Sequence, residues 1–399
     1  VDVYSRIKGS YADGRLDTVA VQGEDIISTV DMDLQEYGEL LMKNKSGSIV
    51  ALEPKTGEVL ALVSSPNYDP GLLVGRIRSE NYSRLSADTS LPLFNRAIQA
   101  KYPPGSTFKP INGLIGLQEN VIEPSTLFGC NHGYMFVGCH SHSSPLDLIH
   151  GISNSCNAYF CQVFRRILEN PEYPTVEAAY VKWKEYLDQF GVGERRGIEF
   201  TNELTGLVPS PEYFDRYHGK NGWKALTIIS MAIGQGEILS TPLQLAQFYC
   251  GLANWGTVYK PHIVKRITHP NGRVEVVEPQ VSFTLPFSRS TLAILREGLR
   301  LVVEGGSGTA RRLRNDLYTV CGKTGTAQNP HGNDHAWFVG FAPIENPEIV
   351  VAAIVENAGH GSEVAAPVVK KVIETYMKKK LGLFEPQQQP TPIAQTDGL

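Results

Sequence analysis

A chain of 399 residues has room for one large domain or two to three ordinary ones. Its apolar fraction of 42%, charged fraction of 20% and net charge of −4 are those of a globular protein, and no Lys/Arg run marks a nucleic-acid partner. No stretch approaches the roughly 20 uninterrupted apolar residues that span a bilayer.

The chain opens on a polar, Gly-containing segment, VDVYSRIKGSYADGR, with no charged-then-apolar leader pattern. It reads as an excised piece, with any anchor or targeting segment upstream. After Glu24 the pattern predicts a short strand and then a helix, VDMDLQEYGELLMKN, with Asp31 or Asp33 as N-cap. Two alternating β-rich runs in SGSIVALEPKTGEVLALVSSP flank Pro54 and Gly57, which predicts a hairpin with Lys55 at a solvated tip. Breakers in YPPGSTFKPINGLIGLQEN precede a helical pattern. Further helices are expected at 157–168, 175–190 and 242–254, the last capped by Ser240-Thr241 with Pro242 at its first position. Another spans Ser290 to about Glu304, before a flexible GGSG. From Leu317 the period switches to strands: LYTVCGKTGTA, HAWFVGFAP and EIVVAAIVENA. A closing helix, EVAAPVVKKVIETYMKKK, places lysines in its last turn, where they suit the dipole. The Pro/Gln-rich end, PQQQPTPIAQTDGL, reads as a disordered tail. One hairpin early, a large helical middle, three late strands and a helix predict an α+β fold with a mainly antiparallel sheet covered by helices.

Three short motifs carry chemistry. Ser106-Thr107-Phe108-Lys109 begins a helix, so residues i and i+3 share a face and the Ser106 hydroxyl neighbours the Lys109 amine. A lysine with a depressed pKa can take the proton that makes serine a nucleophile, and the helix start supplies N–H groups for an oxyanion. Ser155-Cys156-Asn157 opens the next helix; Ser155 and Asn157 can face one cleft, for a proton relay and a substrate amide. Lys323-Thr324-Gly325-Thr326 lies on a strand, with glycines that let a ligand approach the backbone and a lysine and hydroxyls that suit a carboxylate. Each motif alone has a plain structural explanation: a cap, a surface lysine, a turn. Their combination and order form the set shared by penicillin-binding proteins and class A β-lactamases.

The similarity extends beyond the motifs. IVALEPKTGEVLALVSSPNYDP, LFNRAIQAKYPPGSTFKP, AIGQGEILSTPLQLA and GKTGTAQNPHGNDHAWFVGFAP resemble the transpeptidase domain of class B penicillin-binding proteins, the elongation type above all. The resemblance implies a penicillin-binding domain over residues 24–385, the remnant of a non-catalytic pedestal over 1–23 and a tail over 386–399. It implies that Ser106 attacks a stem peptide ending in D-Ala-D-Ala and that Lys109 accepts its proton. Ser155 would pass a proton to the leaving D-Ala and Asn157 would bind the donor peptide. Lys323, Thr324 and Thr326, with Gly325 between them, would organise the terminal carboxylate. It implies further an acyl-enzyme resolved by an amine of a neighbouring strand during cell elongation and shape maintenance, and acylation by β-lactams. No cofactor is needed for that reaction. The implied setting is the bacterial inner membrane with the domain in the periplasm, an N-terminal anchor upstream, and a SEDS-family glycosyltransferase and elongation machinery as partners. A serine β-lactamase or a β-lactam sensor domain shares parts of the pattern, but no deacylating glutamate stands out and Asn157 occupies the place where sensors resemble Ser-x-Val.

Four of the six cysteines fall between 130 and 161. Cys130, Cys139, His142 and Cys156, with His140 as a substitute, have ligand types and spacings that suit structural Zn²⁺. Such an ion would brace the loop that aims Ser155 and Asn157, and some proteins of the resembled type carry a zinc in this region. A Cys130–Cys139 disulfide or free buried thiols are the alternatives. Cys161, Cys250 and Cys321 read as core.

Overall fold

The computed structural model describes residues 21–383, together with Arg6, Gly9, Asp13 and Arg15. The expectation for 386–399, and nearly all of that for 1–23, lies outside the described residues. The chain divides into two compact units, residues 29–263 with 279–399 and residues 1–28 with 264–278.

In the larger unit, the early hairpin and the three late strands join in one antiparallel sheet. Strand β1 (Asp25–Ser28) belongs to the smaller unit; β2 (Gly47–Leu52) and β3 (Val59–Ser65) form the hairpin. Their partners are β10 (Cys321–Ala327), β11 (His335–Ala342) and β12 (Ile349–Val355), in the order β10-β11-β12-β2-β3. Strand β10 starts at Cys321 rather than Leu317, and it is an edge strand. Every residue of β2 and β12 is buried. Near-continuous apolar runs of this kind fit a sheet covered on both faces, here by α1 (Met32–Met42) and α10 (Ala365–Lys380) and by α8 (Pro242–Ala253). Asp31 caps α1, and its carboxylate also takes Lys379 of α10 at 2.7 Å.

Helix α8 is buried at all twelve positions, as a helix apolar all round must be. Its Thr241 cap bonds the Gln244 amide N–H, and the Gln244 side chain returns to the Thr241 N–H: a complete capping box. The helical middle contains α2 (Arg78–Ala87), α3 (Lys109–Gln118), α4 (Leu148–Ser153), α5 (Asn157–Leu168), α6 (Val176–Gln189) and α7 (Pro211–His218), and α9 (Arg289–Glu304) returns to it. Helices α3, α4, α5 and α9 pack together, and α9 also packs on β10. Among these α2, α4 and α7 were not anticipated. They are only six to ten residues long, too short for a repeating pattern to establish them, so long-range packing decides them.

Two small two-stranded sheets complete this unit: the hairpin β4 (Gly133–Tyr134) with β5 (Val137–Gly138), and β6 (Thr257–Tyr259) with β9 (Val281–Thr284), which are not consecutive in the chain. In the smaller unit, β1 pairs antiparallel with β7 (Val264–Thr268), which pairs with β8 (Val274–Val276). Residues 264–278 thus cluster with N-terminal residues, although they fall inside the span 24–385.

Candidate active site

The first motif is held by three parts of the chain at once. Tyr102 and Ser240 exchange backbone hydrogen bonds at 3.1 and 2.9 Å. The Trp337 indole N–H of β11 bonds the Pro103 carbonyl at 3.1 Å, and the Gly105 amide bonds the Gly234 carbonyl at 2.8 Å. Gly105 adopts φ +57°, and a Cβ there would sit 2.5 Å from the Thr326 carbonyl oxygen. Only glycine lets the turn lie this close to β10. A 3₁₀ turn, Gly105–Phe108, then leads into α3. Ser106 is half-buried and lines a cleft of about 450 Å³.

Lys109 starts α3 and is wholly buried. Its amine donates to the Ser155 carbonyl at 2.7 Å, the Ser155 hydroxyl at 3.1 Å and the Asn157 Oδ1 at 2.6 Å. Burial pushes it down to about 8, because desolvation disfavours the ammonium. The first and second motifs therefore meet through this amine, one helical turn from Ser106.

Ser155 is held at φ +55°, a conformation that costs a non-glycine residue energy and that clusters at working sites. It is not the cap of α5. Cys156 is, its sulfur accepting the Tyr159 amide at 3.3 Å. Asn157 donates its Nδ2 to the Gly138 carbonyl of β5 at 2.7 Å.

The third motif forms β10. Lys323 is wholly buried, with its amine 3.1 Å from the Thr324 carbonyl. Burial first, and then the neighbouring charge of Lys109, hold it well below an ordinary lysine. Thr324, Gly325 and Thr326 line the cleft with Ser106, Ser155 and Asn157. A Cβ on Gly325 would meet Thr107 and Trp337 side chains at 2.9 Å, so this glycine serves packing between β10 and the serine turn. All three motifs converge on one cleft. The other Lys-Thr-Gly does not take part: Lys55 lies in the β2–β3 turn, where it pairs with Glu348 at 3.2 Å and Asn346 at 2.8 Å.

Several cleft residues carried no signal strong enough to single out. Thr309 shares a 2.9 Å hydrogen bond with the Thr324 hydroxyl, brought there by the turn that follows α9. Gln235, His360 and Ser362 also line the cleft. Gln235 sits in a Gly-Gln-Gly sequence whose glycines take φ +68° and +75°; paired left-handed glycines around a polar residue are the one hint a sequence could have offered.

Beside the cleft, one ligand atom from each of Cys130, Cys139, His142 and Cys156 lies within 4.8 Å of the others. All six cysteines are free thiols. The Cys139 sulfur accepts the Asn157 amide at 3.2 Å and stands 3.4 Å from the His142 Nε2, while the His142 Nδ1 bonds the Ser143 carbonyl at 2.7 Å. That second bond fixes the tautomer that leaves Nε2 free to coordinate. The Cys156 thiol, with the His140, Asn157 and His142 groups behind it, holds Cys139 far below an ordinary thiol. The donor set and its spacing fit a tetrahedral thiolate-rich ion. His140 stands outside the set and lines the cleft instead.

A five-stranded antiparallel sheet whose edge flanks a Ser-x-x-Lys helix defines the class, that of the penicillin-recognising serine proteins. The chain belongs to the penicillin-binding protein transpeptidase domain family, whose model matches residues 47–374. It is similar to the peptidoglycan D,D-transpeptidase MrdA of Acinetobacter baumannii, with 35% identity over 376 residues that cover 89% of this chain and 54% of that protein. Among solved structures it is similar to PBP2 of Pseudomonas aeruginosa, at 33% identity and a TM-score of 0.77, covering 93% of this chain and 79% of that one. It also resembles PBP2 of Helicobacter pylori in its complex with MreC, at 27% identity and a TM-score of 0.74, covering 90% and 64%. The chain spans about half to three-fifths of the length of the curated relatives it matches. No helix among the described residues is long and apolar enough to cross a membrane.

Proposed function

We propose that this domain is a peptidoglycan D,D-transpeptidase that crosslinks glycan strands during cell elongation. The observation that carries the reading is the wholly buried Lys109 amine, bonded to Ser155 and Asn157 one turn from Ser106. A depressed lysine in that place can act as a base near neutral pH.

In this reading the Ser106 Oγ attacks the carbonyl carbon of the penultimate D-Ala while its proton passes to Lys109. The backbone N–H groups of Ser106 and Thr326 hold the oxyanion, a contribution of roughly 10²–10³ in rate per donor. The peptide C–N bond then breaks, and the leaving D-Ala nitrogen takes a proton through Ser155. Asn157 binds the donor peptide. Lys323, Thr324 and Thr326 hold the terminal carboxylate of the substrate, with Gly325 keeping the strand close to the serine turn. An amine of a neighbouring stem peptide attacks the ester, forms the crosslink and frees Ser106. β-Lactams acylate the same hydroxyl; membership in the penicillin-binding family supports this.

Zn²⁺ held by Cys130, Cys139, His142 and Cys156 would supply structure rather than chemistry. It would tie the 130–142 loop to the start of α5, where Cys139 already accepts the Asn157 amide. Residues 1–23 are assigned to the end of a pedestal, and the domain to the periplasm, anchored to the inner membrane, because peptidoglycan lies there. A SEDS-family glycosyltransferase and other elongation proteins are the proposed partners; the likeness to a PBP2 that binds MreC supports that setting.

Fluorescent penicillin with peptide mapping tests the reading. The label is expected on Ser106 and is expected to persist; rapid loss of label would indicate a β-lactamase instead. Purified protein is then expected to crosslink glycan strands made from lipid II, whereas a sensor domain would take the label without crosslinking. Metal analysis giving less than near-stoichiometric zinc would remove the ion.

A further inference from the structure

Strand β10 is the edge of its sheet, so among the described residues one side of its backbone has no neighbouring strand. Such an edge would ordinarily be met by water or by another chain. At the cleft end the serine turn lies against it at Gly105, and its hydrogen-bonding groups are met by one side chain. The Gln235 Nε2 donates to the Thr326 carbonyl at 2.8 Å, and the Gln328 amide donates to the Gln235 Oε1 at 3.3 Å. A carbonyl at one residue and an N–H two residues on are the groups a neighbouring strand would engage. The amide of Gln235 therefore replaces a peptide unit of a missing strand.

Within a strand, the N–H and C=O of one residue point to the same side. With the Thr326 carbonyl turned toward Gln235, the Thr326 N–H faces that same open edge, where Ser106 also lies against the cleft. Gln235 occupies the two edge groups that follow this N–H, the Thr326 carbonyl and the Gln328 amide, and leaves the N–H itself for a ligand. The loop that carries Gln235 also fixes the serine turn. The Gly234 carbonyl accepts the Gly105 amide at 2.8 Å, and a Cβ on Gly234 would fall 2.3 Å from the Gly105 carbonyl oxygen. Gln235 is itself held: it is buried, and its backbone N–H donates to the Ser230 carbonyl at 3.1 Å. Asn112 of α3 bonds the Ala232 carbonyl at 3.0 Å.

We propose that Gln235 is the positioning residue of the oxyanion hole, its side-chain amide setting the end of β10 so that the Thr326 N–H meets the reacting carbonyl oxygen together with the Ser106 N–H. The inference rests on the reading of Ser106 as nucleophile. Removing a direct oxyanion donor costs roughly 10²–10³ in rate. Loosening one that stays in place is expected to cost less, about 10- to 100-fold.

Gln235→Met and Gln235→Glu, both close to glutamine in size, test it in the full chain with fluorescent penicillin. Stopped-flow labelling separates the acylation rate constant from the affinity of the first complex, and infrared difference spectra give the ester carbonyl band of the acyl-enzyme. The expected result is a 10- to 100-fold lower acylation rate, less than about a twofold change in affinity, and a carbonyl band moved to higher frequency as its hydrogen bonds weaken. The band is read only from folded, labelled protein, so partial unfolding of a variant does not obscure it. An unshifted band in both variants overturns the proposal even if labelling slows. Wild-type protein that takes no label on Ser106 overturns the parent reading, and this proposal with it.

Discussion

The same tripeptide, Lys-Thr-Gly, occurs at 55–57 and at 323–325, and the two copies have opposite chemical character. Lys55 lies in a hairpin turn, with its side chain 38% exposed and a carboxylate 3.2 Å away. Lys323 lies in an edge strand, wholly buried, with Lys109 near enough to depress it further. The Gly57 φ of +82° closes a turn; Gly325 has no such angle and instead gives room for Thr107 and Trp337. Identical side chains become a surface ion pair in one place and a buried amine behind the cleft wall in the other. What differs is the solvent taken away from them.

If desolvated amines are what make the cleft work, the largest loss should follow removal of the most closely bonded one. Lys109→Met is expected to slow acylation by fluorescent penicillin about 10³-fold, in the range for losing a general base; labelling within tenfold of wild type would contradict the assignment. Lys323→Met keeps the length of the side chain but not its charge. It should weaken first-complex affinity for penicillins about 10- to 100-fold, the value of a hydrogen bond to a charged group, as measured by saturation of the labelling rate.

The third prediction follows from the sign of the Lys109 shift. A base must be neutral to accept a proton, and burial lowers Lys109 to about 8. Acylation should therefore rise roughly tenfold from pH 7 to pH 9 as the neutral fraction grows, then level off. A flat profile would mean that Lys109 is already neutral at pH 7 or takes no proton. Chelation provides a fourth. If the cluster holds the proposed zinc, stripping it should lower the unfolding midpoint by roughly 5 °C and slow acylation, because the Cys139 thiol touches the Asn157 amide. The smallest effect belongs to the hairpin copy: Lys55→Ala should leave acylation unchanged and cost no more than about 0.5 kcal/mol in denaturant titration, as exposed ion pairs do.

Much of the architecture follows from local pattern. The caps at Asp31 and Thr241, the helix at 157–168 and the β2–β3 hairpin fall where short-range chemistry puts them. Long, strongly periodic segments leave the backbone few alternatives. Strands β7, β8 and β9 lie outside the expected elements: they are three to five residues long and bury none of their side chains fully, so too few residues are present for periodicity to separate strand from loop. In the cleft, hydroxyl, amine and amide residues with a distinctive order were recognisable. Thr309 and Gln235 were not, because each meets the cleft only through side-chain hydrogen bonds to groups of β10 or just past it that are remote in the chain.

Order and identity of residues were enough to mark Ser106, Lys109, Ser155, Asn157 and the second Lys-Thr-Gly, since a nucleophile, its base and an anion cradle require those functional groups whatever the fold. They could not say that Lys109 would bond to Ser155 and Asn157, that Ser155 would sit at a positive φ, or that Gln235 would close the edge of β10. Those outcomes depend on which segments, tens to hundreds of residues apart, are pressed together and dried. Solvent exclusion is a property of the packed chain and is not carried by any one stretch of it.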